Sequence, residues 1–185
     1  MASIVEICNA ALINLGAETI AALTDDNKEA RLCNQRYEPC KDSVLRAHPW
    51  NSAIKRATLA PNSTAPVWGY SNAFNYPADC LRVLRLDDTT IPFAVEEKTI
   101  LADSTALDIL YVSNISDPNK MDILLRETIS ARIAAELCYP ITGQMDVAKQ
   151  FWDIYHLKLS ESRGMDGQES FVGQIDADTW LDARK

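Results

Sequence analysis

Two periods of apolar recurrence divide this chain. Ser3-Ile4-Val5-Glu6 forms a capping box, in which Ser3 can accept from a free backbone N–H while Glu6 reaches back. Ile4, Cys8, Ala11 and Leu15 then recur every three or four residues, and Gly16 tolerates a left-handed cap, so a helix is expected over about residues 4 to 15. After the turn signal Thr24-Asp25-Asp26-Asn27, the residues Ala30, Cys33, Tyr37, Cys40, Val44 and Ala47 trace a narrow seam along a second, longer helix that needs a partner helix. Pro39 lies inside this seam and removes one ladder hydrogen bond, which predicts a kink or a restart. Pro49 repeats the interruption, and Trp50 to Leu59 reads as another short helix.

The texture changes at residues 60 to 116. Pro61, Pro66, Pro77 and Pro92 alternate with turn clusters and short β-favouring runs, predicting a small antiparallel β insertion. Strands are expected near 67 to 75, 80 to 86, 91 to 96 and 107 to 112; in the last, Leu107, Ile109 and Tyr111 alternate with Asp108, Leu110 and Val112. Helical texture returns at Asp117-Pro118, an N-cap acid before the imino acid best tolerated at a first helical position. Met121, Leu125, Ile129, Ile133 and Leu137 step by four until Pro140 and Gly143 break the pattern. Met145, Ala148, Trp152, Tyr155 and Leu159 then trace a second stripe to about Arg163, so two antiparallel helices joined by a short loop are expected. From Gly164 onward the apolar anchors are sparse, and residues 165 to 185 read as an extended arm that orders on meeting a partner.

The resulting expectation is an α+β fold, mainly α: an antiparallel helix bundle with a small antiparallel β insertion and an extended C-terminal arm. Residues 1–164 form its body. At 185 residues with 47% hydrophobic content, one core suffices. No apolar run approaches the length that spans a bilayer and no basic-then-apolar leader opens the chain, so a soluble protein without a signal peptide is expected. Lys and Arg number 18 against 26 Asp and Glu, and the net charge of -8 disfavours tight nucleic-acid binding. Cys8, Cys33, Cys40, Cys80 and Cys138 lack Cys-x-x-Cys spacing and read as reduced core residues; neither metal nor cofactor is expected.

Signatures of common enzymes are missing. There is no Gly-rich phosphate loop, His-Glu-x-x-His motif, Gly-x-Ser-x-Gly elbow or Walker lysine, and no enzymatic activity is expected. His48 and His156 lack catalytic partners at recognisable spacing and read as structural or solvated. Glu38 and Asp42 share a helix face, but both are expected on the solvated side of the seam, where neither would be set apart as a hydrolase acid. Trp50, Trp68, Tyr70, Phe74 and Tyr76 lack the basic groove of a base-stacking platform and read as core or interface aromatics.

Glu29-Ala30-Arg31-Leu32-Cys33-Asn34-Gln35-Arg36-Tyr37, followed by Val44-Leu45-Arg46-Ala47-His48-Pro49-Trp50 and Ala57-Thr58-Leu59-Ala60, resembles the N-terminal helical signature of the tail tubular protein A-like adaptors of short-tailed bacteriophages. The His-Pro-Trp bend is its most distinctive element. Tyr76 to Leu84, Ile100 to Asp103 and Leu110 to Val112 resemble that family's strands, and Ala134 to Leu137 with Pro140 to Gly143 is similar to its closing helical pair. Pro39 departs from the pattern. The resemblance implies a virion protein of the tail or neck, assembled in the host cytoplasm: a subunit of a twelve-fold head-to-tail connector ring beneath the portal protein and above the tail nozzle protein. Double-stranded DNA would pass through its channel without tight binding, and no membrane is involved. The arm, with anchors Phe171, Val172, Ile175, Trp180, Leu181 and Arg184, is expected to dock on the portal. A tail-associated cell-wall hydrolase and a small acidic protein-binding module are the alternative functions.

Overall fold

A computed structural model gives the structure of the protein, described over residues 2–169. It is a mixed α+β fold in which two helices precede, and two follow, a pair of small antiparallel sheets. Helix α1 spans Ile4–Asn14 and opens with the expected capping box, Ser3 Oγ accepting from the Glu6 N–H while the Ser3 N–H donates to Glu6 Oε2 at 2.9 Å. Gly16 follows it at φ 67, a left-handed conformation that L side chains avoid.

Helix α2, Lys28–Ala47, is capped by Asn27 and runs without interruption through Pro39. The expected restart does not occur. Pro39 lies on the exposed face, where the freed carbonyl one turn back can meet water, while Cys33, Tyr37, Cys40 and Val44 keep the opposite face buried across the proline.

Trp50 to Leu59 is not the short helix its spacing suggests. Asn51–Ala53 makes one 3-10 turn and the chain then extends as β1, Ile54–Leu59. The remaining strands are β2 (Asn72–Asn75), β3 (Cys80–Leu86), β4 (Phe93–Glu96), β5 (Thr99–Ala102) and β6 (Leu107–Ser113). The strand expected over 67 to 75 is only its last four residues, and β5, which the resemblance at Ile100 to Asp103 implied, was not among the strands expected from the spacing of the residues. The first sheet has the order β1-β6-β3 and the second β2-β5-β4.

Leu107, Ile109 and Tyr111 point from β6 into a core shared with Phe74, Ile100 and Ala102 of the second sheet, so the sheets stack face to face. Val112, on the other face of β6, joins the helical core with Ile115. Strand β6 is therefore the joint between the two cores, as its period-two alternation requires.

Asp117 caps only a 3-10 turn, Pro118–Lys120; helix α3, Ile123–Thr142, starts later and is capped by Asp122, whose side chain accepts from the Leu124 N–H at 2.8 Å. It continues past Pro140 and ends on Gly143 at φ 71. Helix α4, Met145–Glu169, folds back antiparallel along α3 after a two-residue connection, which places Thr128 Oγ1 2.7 Å from Ser162 Oγ. It also runs through Gly164 and Gly167, so residues 165 to 169, expected to open an extended arm, are helical. Helix α3 packs against α1, α2 and α4 together. No described helix is long and apolar enough to cross a membrane.

Candidate functional site: the helix-end junction and a cationic groove

The His-Pro-Trp bend is a junction of three elements. Trp50 is buried, donates from Nε1 to the Val44 carbonyl at 2.9 Å, and meets His48 edge-to-face with ring centres 4.9 Å apart. Near the end of α4, Asp166 holds His48 Nε2 at 2.9 Å and accepts from the Asn51 N–H at 3.0 Å, while its carbonyl accepts from Asn51 Nδ2 at 2.8 Å. Arg163 donates to the Ala47 carbonyl at 2.8 Å, meeting the negative end of α2. His48 is thus structurally engaged, and its partner lies in the stretch whose glycines suggested a loosened tail.

A groove of about 530 Å³ opens where α2, α3 and the start of α4 meet. Arg36 from α2 and Arg132 from α3 converge on Glu136, the latter with Nε 3.0 Å from Oε1. The Arg132 guanidinium also stacks on Trp152 at 4.4 Å and on Tyr155 at 5.2 Å, a planar cation held over two ring faces. Lys149 lines the same groove, and Lys28 Nζ donates to the Pro140 carbonyl at its end. Arg36, Arg132 and Lys149 thus face the single carboxylate of Glu136, with Asp146 at the rim 3.7 Å from Lys149. Tyr139 and Met145 expose 52% and 56% of their surface there, more than half of each in an otherwise packed helical hairpin.

A second groove, between α1 and α3, is lined by exposed Ile13 and Ile123, with Glu6 and Glu127 balancing Arg126 and Lys158. Helix α4 carries Ile154, Leu157 and Met165 outward, away from the face that buries Tyr155 and Leu159. In the sheets, Val67 and Trp68 protrude almost fully exposed from the 60–71 loop, and Phe93 and Val95 lie half-exposed on edge strand β4.

The other candidates are resolved locally. Glu38 and Asp42 flank Lys41, which is 1% exposed and pairs with both. Glu38 lies on the solvated side as expected, whereas Asp42 is half-buried: burial holds its carboxyl above its ordinary range, and the neighbouring Lys41 ammonium pulls the other way. His156 packs its ring beside Tyr155 and Trp152. The aromatic set divides, with Trp50 and Phe74 in the cores and Trp68 exposed. All five cysteines are free and buried; the Cys8 thiol is pushed up by its hydrogen bond to Cys33 and by burial, and burial raises Cys80 to about 11. Among the described residues no cluster of side chains is suited to hold a metal. Phe171, Val172, Ile175, Trp180, Leu181 and Arg184 lie outside the described residues.

The Arg132 stack and the groove escaped the sequence reading. The only sequence signal for them is an arginine inside the apolar stripe of α3 opposite Trp152 and Tyr155 of the next stripe. No protein-family model matches the chain, and no curated protein matches its sequence.

Proposed function

We propose that this chain is a structural virion protein: a subunit of a head-to-tail connector ring that docks under a portal, extends the DNA channel and links it to a tail nozzle. In this reading α1 to α4 act as the antiparallel bundle of a twelve-fold ring, and the double sheet is its insertion. The observation that carries the reading is the outward apolar set that one copy leaves uncovered, Ile154, Leu157 and Met165 on α4 with Ile13 and Ile123 beside it. A repeated neighbour buries such a set on both of its flanks, as a ring requires. The resemblance along the sequence supplies the portal and the nozzle, and the docking arm becomes residues 170–185 with its anchors Phe171, Val172, Ile175, Trp180, Leu181 and Arg184. With a net charge of -8, a channel lined by this chain would repel phosphate and let DNA slide.

The test is electron microscopy of the chain mixed with its cognate portal, which should give rings stacked on portals. Deleting residues 171 to 185 should abolish joining while leaving the helical circular dichroism intact. Unimpaired joining after truncation refutes the docking arm. A chain that forms no ring under any assembly condition points instead to a small acidic binding module, and release of dye from labelled peptidoglycan to a cell-wall hydrolase.

A further inference from the structure

We infer that the cationic groove between α2, α3 and α4 is a docking site for the acidic segment Ile175–Asp182 of a second copy of this chain. This goes beyond portal docking, because it gives that segment a place to bind when no portal is present. The chemistry of the two partners is complementary. The groove presents Arg36, Arg132 and Lys149 against one carboxylate, with Lys28 at its end, in a chain whose net charge is -8. The segment carries Asp176 and Asp178 between the anchors Ile175 and Trp180, and Asp182 directly after Leu181. Tyr139 and Met145, exposed at the groove, offer those anchors apolar surface, and the Trp152 ring is already held flat by Arg132. The groove between α1 and α3 has comparable volume, about 520 Å³, but its two carboxylates cancel its two cations, so charge gives an acidic segment no preference for it.

Geometry assigns the segment to a neighbour. The groove lies at the start of α4, whereas the chain leaves α4 at Glu169, seventeen residues and about 26 Å of helix beyond Trp152. The junction of Asp166 with His48 and Asn51 fixes that far end. Fully extended, the six residues from Glu169 to Ile175 cover about 20 Å, so Ile175 of the same copy stops short of Trp152, and Trp180, about 37 Å away at most, comes level with Met145, about 36 Å of helix from Glu169, only at full stretch. A neighbouring copy has no such constraint.

The test uses the full chain with p-benzoylphenylalanine in place of Trp180. Equal amounts of nitrogen-15-labelled and unlabelled copies are mixed without portal at about 0.1 mM, where even a weak docking segment is substantially bound, then irradiated and mapped by mass spectrometry. Labelled-to-unlabelled adducts on Met145 or Tyr139 are expected. Their yield should fall at least fivefold in D176N/D178N/D182N, which leaves the described fold untouched, and severalfold in K149E or in about 1 M salt, where screening is short-ranged. Adducts confined to single copies, adducts elsewhere, no adducts, or a yield indifferent to the three aspartates would each overturn the proposal. Because portal is absent throughout, its failure leaves portal joining to be judged by its own experiment.

Discussion

Helix α3 and strand β4 mark the extremes of this molecule. Half of the twenty residues of α3 are buried, and three other helices cover it. Strand β4 buries none of its four residues, pairs on one side only, and leaves Phe93 and Val95 half-exposed at the rim of the inter-sheet core. A helix enclosed by other helices is held by transfer free energy and close packing, so its stability is shared with the whole core. A short edge strand is held by a few ladder bonds and by its turn, so its stability is local and adjustable. The helical part is suited to be a rigid frame, and the sheets are suited to adapt to what they meet.

Truncation in the frame should therefore have the largest effect. Leu125→Ala removes a fully buried side chain at the meeting of α3 with its neighbours and should cost about 3 to 5 kcal/mol in chemical denaturation. Phe93→Ala on β4 should cost under about 1 kcal/mol, because its side chain is already 41% exposed. Equal losses would remove the distinction between frame and edge.

The two parts also differed in how far the sequence foretold them. Helix α1 and its capping box follow from the spacing of Ser3 and Glu6 alone, and the apolar stripes of α3 and α4 place both helices, because three-to-four periodicity is a local signal. Trp50 to Leu59 misleads for the opposite reason. Trp50, Ala53, Ile54 and Ala57 recur at helical spacing, yet pairing with β6, from Ile54 opposite Val112 to Leu59 opposite Leu107, decides the conformation. The groove was equally hidden, since Arg36 and Glu136 meet across a hundred residues of chain.

A middle-sized effect tests the joint between the parts. Asp79 accepts from Lys55 Nζ at 2.6 Å and from Tyr111 Oη at 3.1 Å, and its carbonyl accepts from the Asn114 N–H, tying β1 and β6 to the approach of β3. The Lys55 ammonium, opposed by partial burial and aided by the Tyr111 hydroxyl, holds the Asp79 carboxyl below its ordinary range. A lowered folded value means that the stabilisation is present above the unfolded value, near pH 4, and is lost as pH falls through the folded one. Asp79→Asn should cost about 1 kcal/mol at pH 7, a figure reduced for solvent screening of a part-exposed pair, and the gap from the native chain should close in acid. A pH-independent gap would assign the effect to packing instead.

The smallest effect has the opposite sign and concerns the turn that concealed β5. Strands β4 and β5 pair with Glu96 opposite Thr99, which leaves Glu97 and Lys98 as a two-residue hairpin loop, and both have positive φ, 47 and 61. Positive φ at both positions is the type I′ geometry that matches strand twist, and it favours Asn-Gly over residues with longer side chains. Glu-Lys carries no such signature, so residue spacing marks no hairpin here, and the resemblance at Ile100 to Asp103 alone points to a strand beyond it. The same mismatch means that the hairpin forms against local preference, held by the Phe93-to-Ala102 and Val95-to-Ile100 pairs. E97N/K98G should relieve that strain and stabilise the sheets by about 0.5 kcal/mol, read as slower amide exchange in β4 and β5. Exchange in α3 should be unchanged, because the frame does not depend on this turn. Protection that rises equally in α3 would show that the two parts unfold as one cooperative unit, and unchanged exchange in β4 and β5 would show that the turn stores no strain.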